Sequence, residues 1–166
     1  MTTAQTAERV VILGKKDNFL YIAPTFAEGV SYVNEYTSGM WEGHEPPPNQ
    51  KGRLTAADLD FFDGLGQPLT LCRDGAGNPR RLEITEPVTD AEAEVRYRIA
   101  AVYQAATYQL KLRVAAGDEV DDNPPALPSA ELAFPQFLEE ISDDPRAQFE
   151  RGPNCSWFLR VLGWCG

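Results

Sequence analysis

Asp58-Leu-Asp-Phe-Phe-Asp-Gly-Leu-Gly-Gln-Pro-Leu-Thr-Leu-Cys-Arg-Asp-Gly-Ala-Gly-Asn-Pro-Arg-Arg-Leu-Glu-Ile-Thr85 is the stretch that decides the fold class. It holds three strand-like runs, Asp58–Phe62, Pro68–Arg73 and Arg80–Thr85. Asp63-Gly-Leu-Gly-Gln67 and Asp74-Gly-Ala-Gly-Asn78 join them, and Asp-Gly between apolar runs is the strongest short-range hairpin signal. Leu69 and Leu71, then Leu82 and Ile84, alternate with polar neighbours. That period of two predicts an antiparallel meander with one buried face.

Working outward towards the N-terminus, Arg9-Val-Val-Ile-Leu13 and Phe19-Leu-Tyr-Ile-Ala23 are short runs rich in β-formers. Gly14-Lys-Lys-Asp-Asn18 lies between them with turn chemistry, so this segment reads as a further hairpin. Thr25 and Glu28 then form a capping box after Pro24. Phe26, Val30 and Val33 follow at helical spacing and Gly39 supplies a stop, predicting a helix over 25–38 that Gly29 weakens. Between that helix and the meander, Gly43-His-Glu-Pro-Pro-Pro-Asn49 excludes helix and reads as a loop with polyproline II character.

Working outward towards the C-terminus, Thr89-Asp-Ala-Glu92 makes a second capping box. From it runs the clearest helical pattern in the chain, over 90–114, with Val95, Ile99, Val102, Ala106 and Leu110 on one stripe and Tyr103 beside it. A helix of that length spans about 37 Å, enough to cross a small sheet. Ala115 to Pro128 then breaks the pattern with proline and acid, and reads as an exposed linker. Short helical pieces follow near 135–142 and 145–150, where Pro135 and Pro145 suit a first turn. A last helix is expected over 155–163.

These elements predict an α+β fold. An antiparallel sheet of about five strands, a hairpin plus a three-stranded meander, carries one long and several short helices packed on one face. Residues 8–114 form the body. Residues 115–166 form an acidic linker and a helical C-terminal segment packed on that body.

The 166 residues carry a formal net charge of −10, unevenly placed. Residues 1–113 hold 15 acids and 12 bases, residues 114–150 hold 10 acids and one base, Arg146, and residues 151–166 add two arginines. Phosphate contacts need clustered Lys and Arg, so this distribution argues against a nucleic-acid partner. It suits a basic protein partner instead. No apolar run approaches the eighteen or so residues of a membrane span, and Met1 to Arg9 lacks the features of a secretory signal. The expected location is the cytoplasm, with no membrane partner.

Residues with chemistry are few. The chain has one histidine, His44, in the proline-rich loop, which removes His-based metal clusters from consideration. Its three cysteines are Cys72, Cys155 and Cys165. Cys155 and Cys165 lie too far apart for a zinc pair, and a disulfide between them requires an oxidising environment. Cys72 sits in a strand and reads as a small buried apolar residue. Asp60-Phe-Phe-Asp-Gly-Leu-Gly66 lacks the ligand spacing of a calcium loop. The glycine pairs Gly64/Gly66 and Gly75/Gly77 do not open directly onto helices and are not phosphate cradles. No catalytic, cofactor-binding or metal-ligating set is therefore assigned.

The candidate partner-binding residues are acidic and aromatic. Asp118, Glu119, Asp121, Asp122, Glu139 and Glu140 supply the charge. Trp157, Phe158, Arg160 and Trp164 have the composition of an interface anchor, since Trp and Arg are enriched at binding hot spots. The expected function is non-enzymatic: a cytoplasmic binding protein of inhibitor or immunity type, whose acidic surface engages a basic protein. A second reading makes residues 154–166 a processed peptide carried by a folded leader. A carboxylate-based enzyme is a distant third.

Overall fold

The computed structural model describes residues 8–15, 20–36, 59–75, 79–117 and 126–144. The proline-rich loop with His44, the acids at 118–122 and the tail with Cys155, Trp157, Phe158, Arg160, Trp164 and Cys165 lie outside the described residues.

The sheet contains β1 (Val10–Gly14), β2 (Leu20–Ala23), β3 (Leu59–Asp63), β4 (Pro68–Arg73) and β5 (Pro79–Ile84). Their order across it is β2-β1-β3-β4-β5, and every neighbouring pair is antiparallel. Among the described residues three helices accompany it: α1 (Phe26–Tyr36), α2 (Ala91–Ala115) and α3 (Phe134–Asp143). The α+β class, the five antiparallel strands, the hairpin, the meander and the single long helix are all as the sequence predicts. Chain order and sheet order differ at one place: β3 returns to pair with β1, so β1 lies inside the sheet.

The expectation that the helices share one face is corrected. Val10 and Ile12 pack with Tyr32 and Val33 of α1, and with Leu59, Phe61, Leu69 and Leu82. Val11 and Leu13 point the other way and pack with Val95, Ile99, Val102 and Ala106 of α2 and with Phe134, Phe137, Leu138 and Ile141 of α3. The sheet is therefore a middle layer, with α1 on one side and α2 and α3 on the other. The cause is visible in β1. Its Val-Val-Ile-Leu run has no polar alternation, as expected of a strand covered on both faces, and each of these four side chains is at most 1% exposed.

The outer ribbon behaves differently. In β4 and β5, Leu69 and Leu82 are buried, whereas Thr70, Arg81 and Glu83 on the opposite face are exposed. Neither strand contributes to the core under α2 and α3. The ribbon is joined to the rest by a short ladder, Phe61 with Leu69 and Phe62 with Pro68. It also curls towards α1. A methyl group placed on Gly29 would come within 3.2 Å of Val10 Cγ2 and 3.3 Å of Leu82 Cδ1, although two strands separate β1 from β5. Gly29, which weakens the helix intrinsically, thus lets α1 approach the sheet closely at that point. Ile84 shares a face with Leu69 and Leu82 but is 62% exposed, beyond the cover that α1 gives.

Turn chemistry places α2. Asp63, 3% exposed, accepts hydrogen bonds at Oδ1 from the N–H groups of Leu65 and Gln67, both at 2.9 Å. Gly66 adopts φ +86°, and a Cβ there would lie 2.8 Å from Glu92 Cα, so glycine is required on both counts. The Gln67 amide then accepts from Val88 N–H at 2.8 Å and donates to Val88 O at 3.2 Å. The predicted Thr89–Glu92 capping box does not form. Asp90 is the N-cap, in a left-handed conformation (φ 59°, ψ 21°), with no side-chain cap. The first turn is fixed by tertiary clasping of Val88 rather than by a local box. At α1 the corresponding box is half made, with Glu28 N–H donating to Thr25 Oγ1 at 3.1 Å.

Candidate interaction surface

α3 is built from Phe-Pro-Gln-Phe-Leu-Glu-Glu-Ile-Ser-Asp, with Pro135 in the first turn where its missing N–H costs nothing. Phe134, Phe137, Leu138 and Ile141 recur at helical spacing and are all buried. The 3.6-residue period therefore turns Gln136, Glu139, Glu140 and Asp143 away from the core. Glu139 is half-buried, and Glu140 and Asp143 are exposed. Among the described residues none of these three carboxylates has an ion pair.

Their position along the helix is as telling as their number. The C-terminal end of a helix carries the negative pole of its dipole and favours cations. The last turn of α3 has no basic residue, and its first turn has no acidic one. The acids thus sit where α3 itself gains nothing from them.

One cation holds α3 in place. Arg96 of α2 donates from Nη2 to Leu132 O at 2.6 Å and from Nη1 to Ala130 O at 3.4 Å. Its Nε pairs with Glu92 at 2.9 Å. The guanidinium stands 4.9 Å from the Phe137 ring centroid and 5.5 Å from that of Phe134. Two residues on, Arg98 binds Asp60 Oδ2 at 3.0 Å and Gly14 O at 2.9 Å, and lies 5.5 Å from the Phe62 ring centroid. One arginine ties α2 to α3, the other ties it to β1 and β3. Neither was singled out in the sequence. The usable signal was that both flank the buried positions Val95 and Ile99, where long cationic side chains lay their stems along apolar surface.

Of the sequence-selected residues, the structure places Glu139 and Glu140 together on α3. No protein-family model, curated protein or solved structure matches this chain. The surface is therefore read from its own chemistry.

Two other places gather polar groups. A hollow of about 440 Å³ lies beside the start of α2, lined by Leu65, Gln67, Asp90, Ala91, Glu92 and Arg96. Its strongest polar groups, Arg96 and Gln67, are already committed to Glu92, Leu132 and Val88. The second is the open face of the β4–β5 ribbon. Cys72 is half-buried there rather than a core residue, which corrects the expectation, because no described helix covers that face. Arg81 Nε contacts Glu83 Oε1 at 2.6 Å. The hydrogen bond from Arg81 holds the Glu83 carboxyl below its usual range. Partial burial, followed by the Glu83 carboxylate, pushes the Cys72 thiol up. A thiol biased towards its neutral form is poorly suited to nucleophilic work.

Among the described residues no three or more His, Cys, Asp or Glu side chains gather as a metal would require. Nor is any described helix long and apolar enough to cross a membrane.

Proposed function

We propose that this chain is a non-enzymatic binding protein whose acidic α3 face engages a basic protein partner, in the manner of an inhibitor or immunity protein. The observation that carries this reading is the run Glu139, Glu140 and Asp143 on the outward side of α3. These charges face away from the core and oppose the helix dipole, and no described ion pair uses them. A cationic partner would relieve that opposition and gain from the charge. Arg96 makes the surface rigid by fixing α3 on α2, which reduces the ordering cost of association. Cytoplasmic residence belongs to the same reading, as does the wider acidic segment 114–150, which extends the field that steers encounter.

The test is affinity capture from the native cell with the full chain as bait, beside a bait carrying Glu139→Gln, Glu140→Gln and Asp143→Asn. The expected result is a basic protein retained by the first bait and lost from the second, with an on-rate that falls as salt shortens the Debye length below about 10 Å. A partner retained equally by both baits, with no salt dependence, would overturn the reading.

A further inference from the structure

We propose that β5 is a two-fold edge through which a second copy of this chain extends the sheet. The inference is independent of the α3 reading, since β5 contributes nothing to the core that α3 joins. Among the described residues β5 has a strand on one side only, where it pairs with β4.

The hydrogen-bonding parity of that edge is fixed. Thr85 N–H donates to Pro68 O, so residues 85, 83 and 81 direct their backbone groups towards β4. Residues 84, 82 and 80 direct theirs outward, and the ladder irregularity lies at the other end, at Cys72 and Arg73. An antiparallel copy centred on Leu82 would exchange two backbone hydrogen bonds with the partner's Leu82, and Ile84 would pair with the backbone of the partner's Arg80.

The side chains then select this register. Arg81 and Glu83 lie on the face that no described helix covers, two residues apart, and are 68% and 51% exposed. With Leu82 on the axis, Arg81 stands opposite the partner's Glu83, and Glu83 opposite the partner's Arg81. Both are non-hydrogen-bonded pairs, whose Cα atoms come within about 4.5 Å and whose side chains approach most closely. Shifting the axis to Glu83 sets two carboxylates face to face, and an axis between residues would oppose the two faces of the sheet. Charge thus singles out the Leu82 register among those the backbone allows. The other edge has no comparable device: β2 is Leu-Tyr-Ile-Ala, without a charge.

Sedimentation velocity of the full chain over a concentration series tests the proposal. Wild type is expected to pass from monomer to dimer as concentration rises. Arg81→Glu and Glu83→Arg each oppose like charges twice and should weaken association about tenfold or more. An equimolar mixture of the two variants restores both opposite-charge contacts and should associate again. A chain monomeric throughout, a dimer unaffected by either substitution, or a mixture that fails to recover would each overturn the proposal. Hydrogen exchange of wild type gives a reading without substitution. The Leu82 and Ile84 amides should slow as concentration rises, and exchange independent of concentration would count against β5 as the interface.

Discussion

β1 and the β4–β5 ribbon belong to one sheet and are covered in different ways. β1 has α1 on one side and α2 with α3 on the other, and its four apolar residues alternate between two cores. Among the described residues the ribbon has α1 on one side and no helix packed on the other. The sequence differs accordingly: Val-Val-Ile-Leu in β1, against Leu-Thr-Leu-Cys and Arg-Leu-Glu-Ile in the ribbon. Alternation thus reports how many sides of a strand are covered, while the strand itself is reported by β-branched content and by flanking turns.

Substitutions within β1 test that contrast directly. Ile12 and Leu13 are neighbours in β1 that face opposite cores, and both are essentially unexposed. Ile12→Ala and Leu13→Ala should each destabilise the fold by about 2–5 kcal/mol, the usual cost of emptying a core position. Thr70→Ala, on the ribbon's open face, should stay within about 0.5 kcal/mol. Chemical denaturation of the three variants decides the matter. A small cost at either Ile12 or Leu13 would mean that one covering layer is misplaced.

A second effect, smaller, separates the two coverings from each other. α1 approaches the sheet closely at Gly29, whereas the segment leading into α3 is tied to α2 by Arg96. Arg96→Ala removes a charge-assisted hydrogen bond to Leu132 O and the stacking over Phe134 and Phe137. Bonds to charged groups contribute about 1.5–3 kcal/mol, so a loss near 2 kcal/mol is expected. Hydrogen exchange should quicken in α3 first and leave α1 unchanged. Equal loss of protection in both helices would show that Arg96 supports the whole body rather than one attachment.

Much of this architecture was legible in the chain. The Asp-Gly turns placed β3, β4 and β5, and the Val95–Ala106 stripe placed α2. What failed to transmit was sidedness. The β1 run carried the signal, but four consecutive apolar residues say that both faces are covered without saying by which helix. Leu110 continues the stripe by periodicity, yet it packs against the core only partly buried. Thr89 has the right spacing for a cap and makes none, since Gln67, remote in sequence, sets the backbone at Val88. Such contacts leave no local trace. On α3, Glu139 and Glu140 were legible because their spacing from Phe137, Leu138 and Ile141 turns them outward. Arg96 and Arg98 were not, because a cation beside an apolar stripe looks the same whether it binds a carbonyl or water.

The smallest effect concerns the ribbon's uncovered face and its response to pH. Glu83 titrates below its ordinary value because Arg81 donates to it. A carboxyl depressed in the folded state contributes stability that is complete above its unfolded value and is lost as pH falls through the folded one. Glu83→Gln should therefore be slightly less stable than wild type at neutral pH and converge with it in acid. The thiol beside it runs the opposite way. Cys72 is raised, first by partial burial and then by Glu83, so its contribution holds below the ordinary thiol value and fades as pH rises through the shifted one. In a chain with Cys155→Ser and Cys165→Ser, alkylation of Cys72 by iodoacetamide should turn on at higher pH than for a free thiol. Adding Glu83→Gln should move that midpoint down, because the carboxylate no longer opposes the thiolate. A midpoint unmoved by the substitution would mean that burial alone governs the thiol, and that the open face acts on Cys72 only through its solvation.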